Sequence, residues 1–171
     1  MPIKDHNSYL GSRYTDQDIQ DSIKSLGLIA RHSENIFSIT ASKLKEGKIV
    51  GWFQGASEFG PRALGNRSIL CKPYPAEMKD YLNNRVKFRE EFRPFAPSVM
   101  LEHVKKYFQI NQESPHMLIA CQVVKEMEEA VSAIVHLVMI CATDAGGVRN
   151  IVPIAKERVC CSPFMSDKTS S

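Results

Sequence analysis

The chain has 171 residues, of which 43% are hydrophobic and 24% charged, with a formal net charge of +3. That length and balance fit one soluble globular domain with a core able to stand alone, and leave little room for a second. The mild charge makes nucleic acid an unexpected partner, since proteins that bind its backbone concentrate far more positive charge on one face.

The opening MPIKDHNSYLGSRYTDQD lacks the apolar stretch of a signal peptide. No later run approaches the roughly 18 residues of a membrane span, so no membrane is expected and cytoplasm is the expected compartment. Residues 1–14 read as irregular. Thr15 is a candidate N-cap for a helix through Leu26, with Asp18 completing a capping-box pattern and Gly27 as its stop. A second helix is expected from Ile36 to Glu46, with Ile36, Phe37, Ile39 and Leu44 on one face and Gly47 ending it. KIVGWF, from Lys48 to Phe53, reads as a strand.

Two glycines and a proline between Gln54 and Pro61 interrupt regular structure. A short strand resumes at Ser68 to Cys71. Pro75 to Val86 reads as a helix turning Met78, Tyr81 and Leu82 inward, with Pro75 suited to its first turn. RPFAPSVM leads into another strand, Leu101 to Phe108 reads as a helix, and His116 to Val124 as a strand. The later LVMICA reads as a central strand and TDAGGVRN as a turn. Helices and strands are mixed throughout, so the fold class is α/β or α+β. A domain is expected over residues 15–136, with a divergent or poorly ordered tail from 137 to 171.

Cys71, Cys121, Cys141, Cys160 and Cys161 form an odd set without C-x-x-C spacing, read as free thiols. His6, His32, His103, His116 and His136 show no metal-ligand spacing, so no metal site is expected. Asp144 in DAGG fits turn chemistry better than a ribose or metal contact. Trp52, Phe53 and Phe59 wall an apolar pocket or belong to the core.

Chemistry concentrates in two blocks. GWFQGASEFGPRALGNRSIL carries Arg62 and Arg67 in a glycine-punctuated loop. Arginine's rigid fork of donors suits phosphate or carboxylate oxygens, and Gly60 and Gly65 let backbone amides approach an anion closely. Asn66 and Ser68 flank Arg67 and either complete such a pocket or satisfy loop backbone groups. The competing reading places both arginines on the surface, one paired with Glu58. The second block, NNRVKFREEFR, has Arg85, Lys87, Arg89 and Arg93 among Glu90 and Glu91, with Val86, Phe88 and Phe92 as apolar anchors. It is either a phosphate-facing cluster or a solvated face crossed by weak ion pairs.

These two blocks, together with YLGSRYTDQDI and ESPHMLIA, resemble the C-terminal domain of the O-carbamoyltransferases of nodulation and antibiotic biosynthesis, over roughly residues 9 to 135. The resemblance implies a YrdC-like fold, a twisted mixed sheet flanked by helices. It also implies a domain that forms carbamoyl adenylate from carbamoyl phosphate and ATP with loss of pyrophosphate. Mg²⁺ would arrive with ATP, with no tightly bound cofactor. A separate N-terminal, Kae1-like domain would transfer the carbamoyl group to an acceptor hydroxyl. By the same resemblance Arg62, Arg67, Lys87 and Arg93 line the adenylate-forming pocket. On charge grounds Arg62 and Arg67, flanked by Asn66 and Ser68, are expected on nucleotide phosphate oxygens, and Lys87 and Arg93 on carbamoyl phosphate and developing charge.

The chain also departs from the pattern. Ala56 and Ser57 stand where the family has an arginine and a methionine, and the segment after His136 lacks the family's later THVDGTARVQTV-like and NTSFN-like motifs. The chain is therefore expected to be insufficient for the full reaction. An inactive interaction fragment and a YrdC-like RNA-binding module stay open as alternatives, as does a homo-oligomer.

Overall fold

A computed structural model describes residues 8–135, 138–139, 141–142 and 159–162, the last three stretches by their backbone pairing alone. His6, His136 and Asp144 lie outside the described residues, as does most of the 137–171 tail. The architecture is mixed α/β, as the alternation of patterns predicts.

Helix α1 (Asp16–Ser25) begins where the capping box places it. The Thr15 amide and hydroxyl donate to Asp18 Oδ2 at 2.8 and 2.7 Å, and the Asp18 amide donates back to Thr15 Oγ1 at 3.2 Å. These bonds hold the Asp18 carboxyl below its usual range. Helix α2 (Ile36–Lys45) comes next. Both helices end alike. Gly27 and Gly47 adopt positive φ, 61° and 78°, and the next residue's amide reaches back to a carbonyl in the last turn, Leu28 to Ile23 O and Lys48 to Lys43 O. That is a Schellman stop, which favours a residue without a Cβ at the turn. The inward face of α2 is Phe37, Thr40, Ala41 and Leu44, packed with Trp52. Ile36 and Ile39, expected on that face, are exposed, because the stripe is centred one residue away from them.

Strands β1 (Val50–Phe53) and β2 (Arg67–Leu70) pair antiparallel, with Phe53 opposite Arg67 and Val50 opposite Leu70. Helix α3 (Glu77–Tyr81) runs on into a π turn over Leu82–Lys87. A π turn takes an extra residue per turn and so rotates the residues beyond it. Leu82 is buried as expected and Asn83 with it, while Tyr81, before the turn, and Phe88 and Phe92, after it, are exposed, contrary to the inward roles read for those three aromatics.

Strand β3 (Ala96–Val99) is buried along its whole length. It pairs parallel with β6 (Cys141–Ala142) and antiparallel with β7 (Val159–Ser162), forming a mixed three-stranded sheet. The 101–108 helix is a 3₁₀ turn, Leu101–His103, followed by one α turn, α4 (Val104–Tyr107). The predicted 116–124 strand shrinks to β4 (Ala120–Cys121), paired with β5 (Val138–Met139), plus a single bridge between Phe108 and Val123. Met117 is buried at φ 54°, a left-handed conformation that no regular strand contains. Two further 3₁₀ turns, Lys125–Met127 and Glu129–Ile134, close the main core.

That core gathers Cys71, Leu82, Phe95, Val99, Val104, Phe108, Cys121, Val131 and Ile134. Phe95 is 1% exposed at the head of β3, where it anchors the second basic block. Phe95→Ala is expected to cost about 3–5 kcal/mol, read as a lower urea midpoint at unchanged slope.

Candidate functional site

The GPRALGNR loop is built around an internal anion. Glu58 Oε1 accepts the backbone amides of Leu64 at 2.7 Å, Asn66 at 2.8 Å and Arg67 at 3.3 Å. Gly60 and Gly65 stand at φ 131° and 113°, backbone conformations that favour glycine and bend the loop around the carboxylate, while the amides that reach it belong to their neighbours. The oxygen in that nest is the chain's own, and this is the role of Glu58 that the sequence pattern left as an arginine partner.

Asn66 is buried and fully engaged. Its Nδ2 donates to Ala56 O at 2.7 Å and its Oδ1 accepts from Gln54 Nε2 at 2.9 Å. Ser68 Oγ accepts the Gly65 amide at 3.1 Å. Arg62 Nη1 donates to Met117 O at 2.6 Å, steadying the left-handed residue that ends the would-be strand. Arg67 stacks on Phe53 with its guanidinium carbon 3.5 Å from the ring centroid. It donates to the carbonyls of Gln54, Asn66 and Gly55. The N-terminal segment straps this loop: Gly11 N reaches Ser57 O at 2.9 Å, Phe59 N reaches Ser8 O at 2.7 Å, and Tyr9 donates to Leu64 O at 3.0 Å.

The second block turns on a buried amide as well. Asn83, at 0% exposure, donates from Nδ2 to the carbonyls of Glu91 and Arg93 at 3.2 and 3.1 Å. Its Oδ1 accepts from Arg89 Nε at 2.7 Å. Phe88, at φ 48°, reverses the chain so that the Arg89 amide can return to Asn83 O at 3.0 Å. Arg89 lies over the Phe95 ring, 4.8 Å from its centroid. Its Nη2 is buried with no hydrogen-bond acceptor among the described residues. Burial, then the neighbouring Arg93 charge, push the Arg89 guanidinium down from its ordinary value. Lys87 is half-buried, and burial followed by the Arg89 charge depresses its ammonium too. Arg93 differs: it pairs with Glu90 at 2.9 Å in solvent.

The two blocks touch consecutive residues that belong to different core clusters. Leu64 packs with Ala96 and Met117, while Arg89 sits on Phe95, so both loops end at the head of β3. Lys87 and Arg89 thus form the undercompensated cationic pair, and Arg62, Arg67, Asn66 and Ser68 the internally bonded loop beside it. Arg89 was one charge among four in the sequence; its distinction depends on Asn83, six positions earlier, and no local pattern signals that. Burial pushes the Cys121 thiol up to about 11, which leaves it protonated and a poor nucleophile at neutral pH. No three His, Cys, Asp or Glu side chains converge as metal ligands among the described residues. Nor is any described helix long and apolar enough to cross a membrane.

Residues 41–142 match the family model described as Carbamoyltransferase C-terminus. An uncharacterized protein of Synechocystis is 46% identical over 124 residues, 70% of this chain and 20% of the relative. Nodulation protein NolO of Bradyrhizobium diazoefficiens is 44% identical over 110 residues, 63% of this chain and 20% of the relative. The 3'-hydroxymethylcephem-O-carbamoyltransferase of Streptomyces clavuligerus is 36% identical over 136 residues, 80% of this chain and 25% of the relative. The chain therefore spans a fifth to a quarter of the length of these relatives.

Removing the carboxylate from the amide nest tests its structural weight. Glu58→Ala is expected to cost about 1.5–3 kcal/mol, the range for hydrogen bonds to a charged group. Glu58→Gln should recover part of that loss, since its oxygen still accepts; urea unfolding of both variants reads the difference.

Proposed function

This chain belongs to the carbamoyltransferase C-terminal family, and from that membership we propose that it supplies the anion-binding surface on which carbamoyl phosphate and ATP are converted to carbamoyl adenylate. The observation that carries the proposal is the Lys87 and Arg89 pair. Both cations are partly desolvated, each is destabilised by a like charge, and one guanidinium nitrogen is buried without an acceptor among the described residues. Such a pair is costly as it stands and gains most from an anion with several oxygens.

The chemistry needs that help. Making carbamoyl adenylate requires water to attack the phosphorus of carbamoyl phosphate, so that the bond between that phosphorus and the carbamoyl oxygen breaks and inorganic phosphate leaves. The freed carbamate oxygen then joins the α-phosphorus as pyrophosphate departs. Two polyanions must be held side by side, so neutralisation and positioning are the protein's main contributions. Lys87 would act as a point charge on a phosphate and Arg89 as the fork facing it, with Arg93 free to join by leaving its exposed Glu90 partner. Arg62 and Arg67, with Asn66 and Ser68, would form the nucleotide side, contributing positive potential from a loop whose shape is already set by internal bonds. Mg²⁺ would enter as part of the ATP complex. Transfer to an acceptor hydroxyl would fall to the part of a carbamoyltransferase that the relatives carry beyond the matched fifth. The name of the S. clavuligerus relative gives a 3'-hydroxymethylcephem as its own acceptor.

Calorimetric titration of the purified chain with carbamoyl phosphate and with MgATP tests this reading. Binding should weaken about tenfold or more in Lys87→Ala and in Arg89→Ala, the equivalent of about 1.4 kcal/mol or more, and less in Arg93→Ala. A folded chain that binds neither ligand refutes it.

The pH dependence comes from the depressed Lys87 ammonium. A bound anion favours the charged form, so Lys87 titrates at higher pH in the complex than in the free chain. MgATP affinity should be greatest below the free-chain value, fall as pH rises through it, and level off above the bound-state value. Between those values binding takes up a proton, visible as a buffer-dependent heat. In Lys87→Met both the fall and this uptake should disappear.

A further inference from the structure

Helix α1 buries none of its own side chains, yet it is not polar all round. Ile19 and Ile23 lie one turn apart on it, and the chain leaving it adds Leu26, Leu28 and Ile29, exposed at 70%, 58% and 104%. A groove runs along each side of the Ile19–Ile23 ridge. One, of about 520 Å³, lies between Asp16, Gln20 and Lys24 of the helix and the 30–32 segment, which includes Arg31. The other, of about 560 Å³, lies between Asp18 and Ser22 of the helix and Tyr14, Leu28 and Phe53. An apolar ridge with a groove on each flank can seat a second ridge of the same shape.

Charge along the helix says which partner fits. Asp16 and Asp18 stand in the first turn and Lys24 in the last. Asp18 is committed to the Thr15 cap, whereas Asp16 and Lys24 line the same groove. Two copies placed antiparallel about a two-fold axis near Gln20 bring Asp16 of each opposite Lys24 of the other, with Arg31 alongside. The same arrangement opposes the two helix dipoles. Parallel pairing would instead set like charges against one another.

We propose that α1 is a homotypic docking surface, on which two copies of this chain pair antiparallel through the Ile19–Ile23 ridges, with reciprocal Asp16 and Lys24 contacts setting the register. Burial of the aliphatic ridge supplies the attraction, and the rim charges supply orientation. The proposal uses none of Arg62, Arg67, Lys87, Arg89 and Arg93, so it is independent of the carbamoyl adenylate reading.

Sedimentation velocity of the full chain over a concentration series tests it, comparing the native sequence with Ile23→Asp, Asp16→Lys, Lys24→Asp and the double reversal D16K/K24D. Because α1 contributes nothing to the core, each variant should keep the native circular dichroism spectrum and unfolding midpoint measured in dilute solution. The native chain is expected to double in mass as concentration rises. Ile23→Asp should weaken association about tenfold or more, each single reversal should weaken it, and the double reversal should restore it. A folded chain that stays monomeric throughout overturns the proposal, as does a dimer indifferent to Ile23→Asp or a double reversal that fails to rescue. Protection of α1 amides from exchange only when the remainder of a carbamoyltransferase is added would also overturn it, and would identify that polypeptide as the occupant.

Discussion

One carboxylate oxygen organises the most distinctive part of this molecule. Glu58 Oε1 gathers three backbone amides from a loop that otherwise has no secondary structure to satisfy them. A long connection inside a compact domain carries unpaired donors and acceptors that must be met locally. With those amides fixed, β2 begins at Arg67 in register with Phe53, and Leu64 is delivered to Ala96 and Met117. The side chains of Asn66 and Ser68, and the donors of Arg62 and Arg67, then complete a network in which the loop holds itself. Negative charge at the centre and arginines at the rim explain how so polar a segment sits between two apolar strands.

The second basic block is shaped by a side-chain amide where the first uses a carboxylate. Asn83 is carried inside by the π turn, and its two donors and one acceptor hold the 89–93 segment folded back against α3. An amide can satisfy two carbonyls and a guanidinium N–H, but it carries no charge to offset a cation. The block is therefore well ordered in hydrogen-bonding terms and poorly compensated in electrostatic terms. That combination sets Lys87 and Arg89 apart from a solvated face crossed by ion pairs, of which Arg93 with Glu90 remains an example.

Local rules of chain geometry were the legible part. The capping box of Thr15 and Asp18, the glycine stops at Gly27 and Gly47 and the β1 pattern lie within a few residues of where they act, so their signals survive in sequence. What escaped was set by distant partners. Phe88 and Phe92 read as anchors from their apolar character alone, whereas Phe88 takes a left-handed backbone and both rings end up exposed. The 116–124 strand read plausibly from its apolar residues. Yet Met117 adopts a left-handed backbone whose carbonyl is held by Arg62, 55 positions away in sequence. In the candidate site the residue types and both blocks were visible, including the glycine-enabled anion nest; that the nest holds Glu58, and that Arg89 stands apart from its neighbours, depends on tertiary placement.

The contrast between the two arginine environments bears on how such a surface divides its work. Carbonyls accept from Nη1 of Arg62 and from both terminal nitrogens of Arg67, so these residues fix the geometry of the loop around the Glu58 carboxylate. Lys87 and Arg89 have lost part of their hydration without gaining a comparable set of acceptors. The free energy available from an incoming phosphate is greater where solvation has already been given up, because less water remains to be displaced from the cation. Fixed geometry is thus the property of the loop built on Glu58, and incompletely compensated charge that of the loop built on Asn83. Phe95, at the head of β3, belongs to the main core and Ala96 to the smaller cluster around Leu64, so one strand fixes both loops through neighbouring residues.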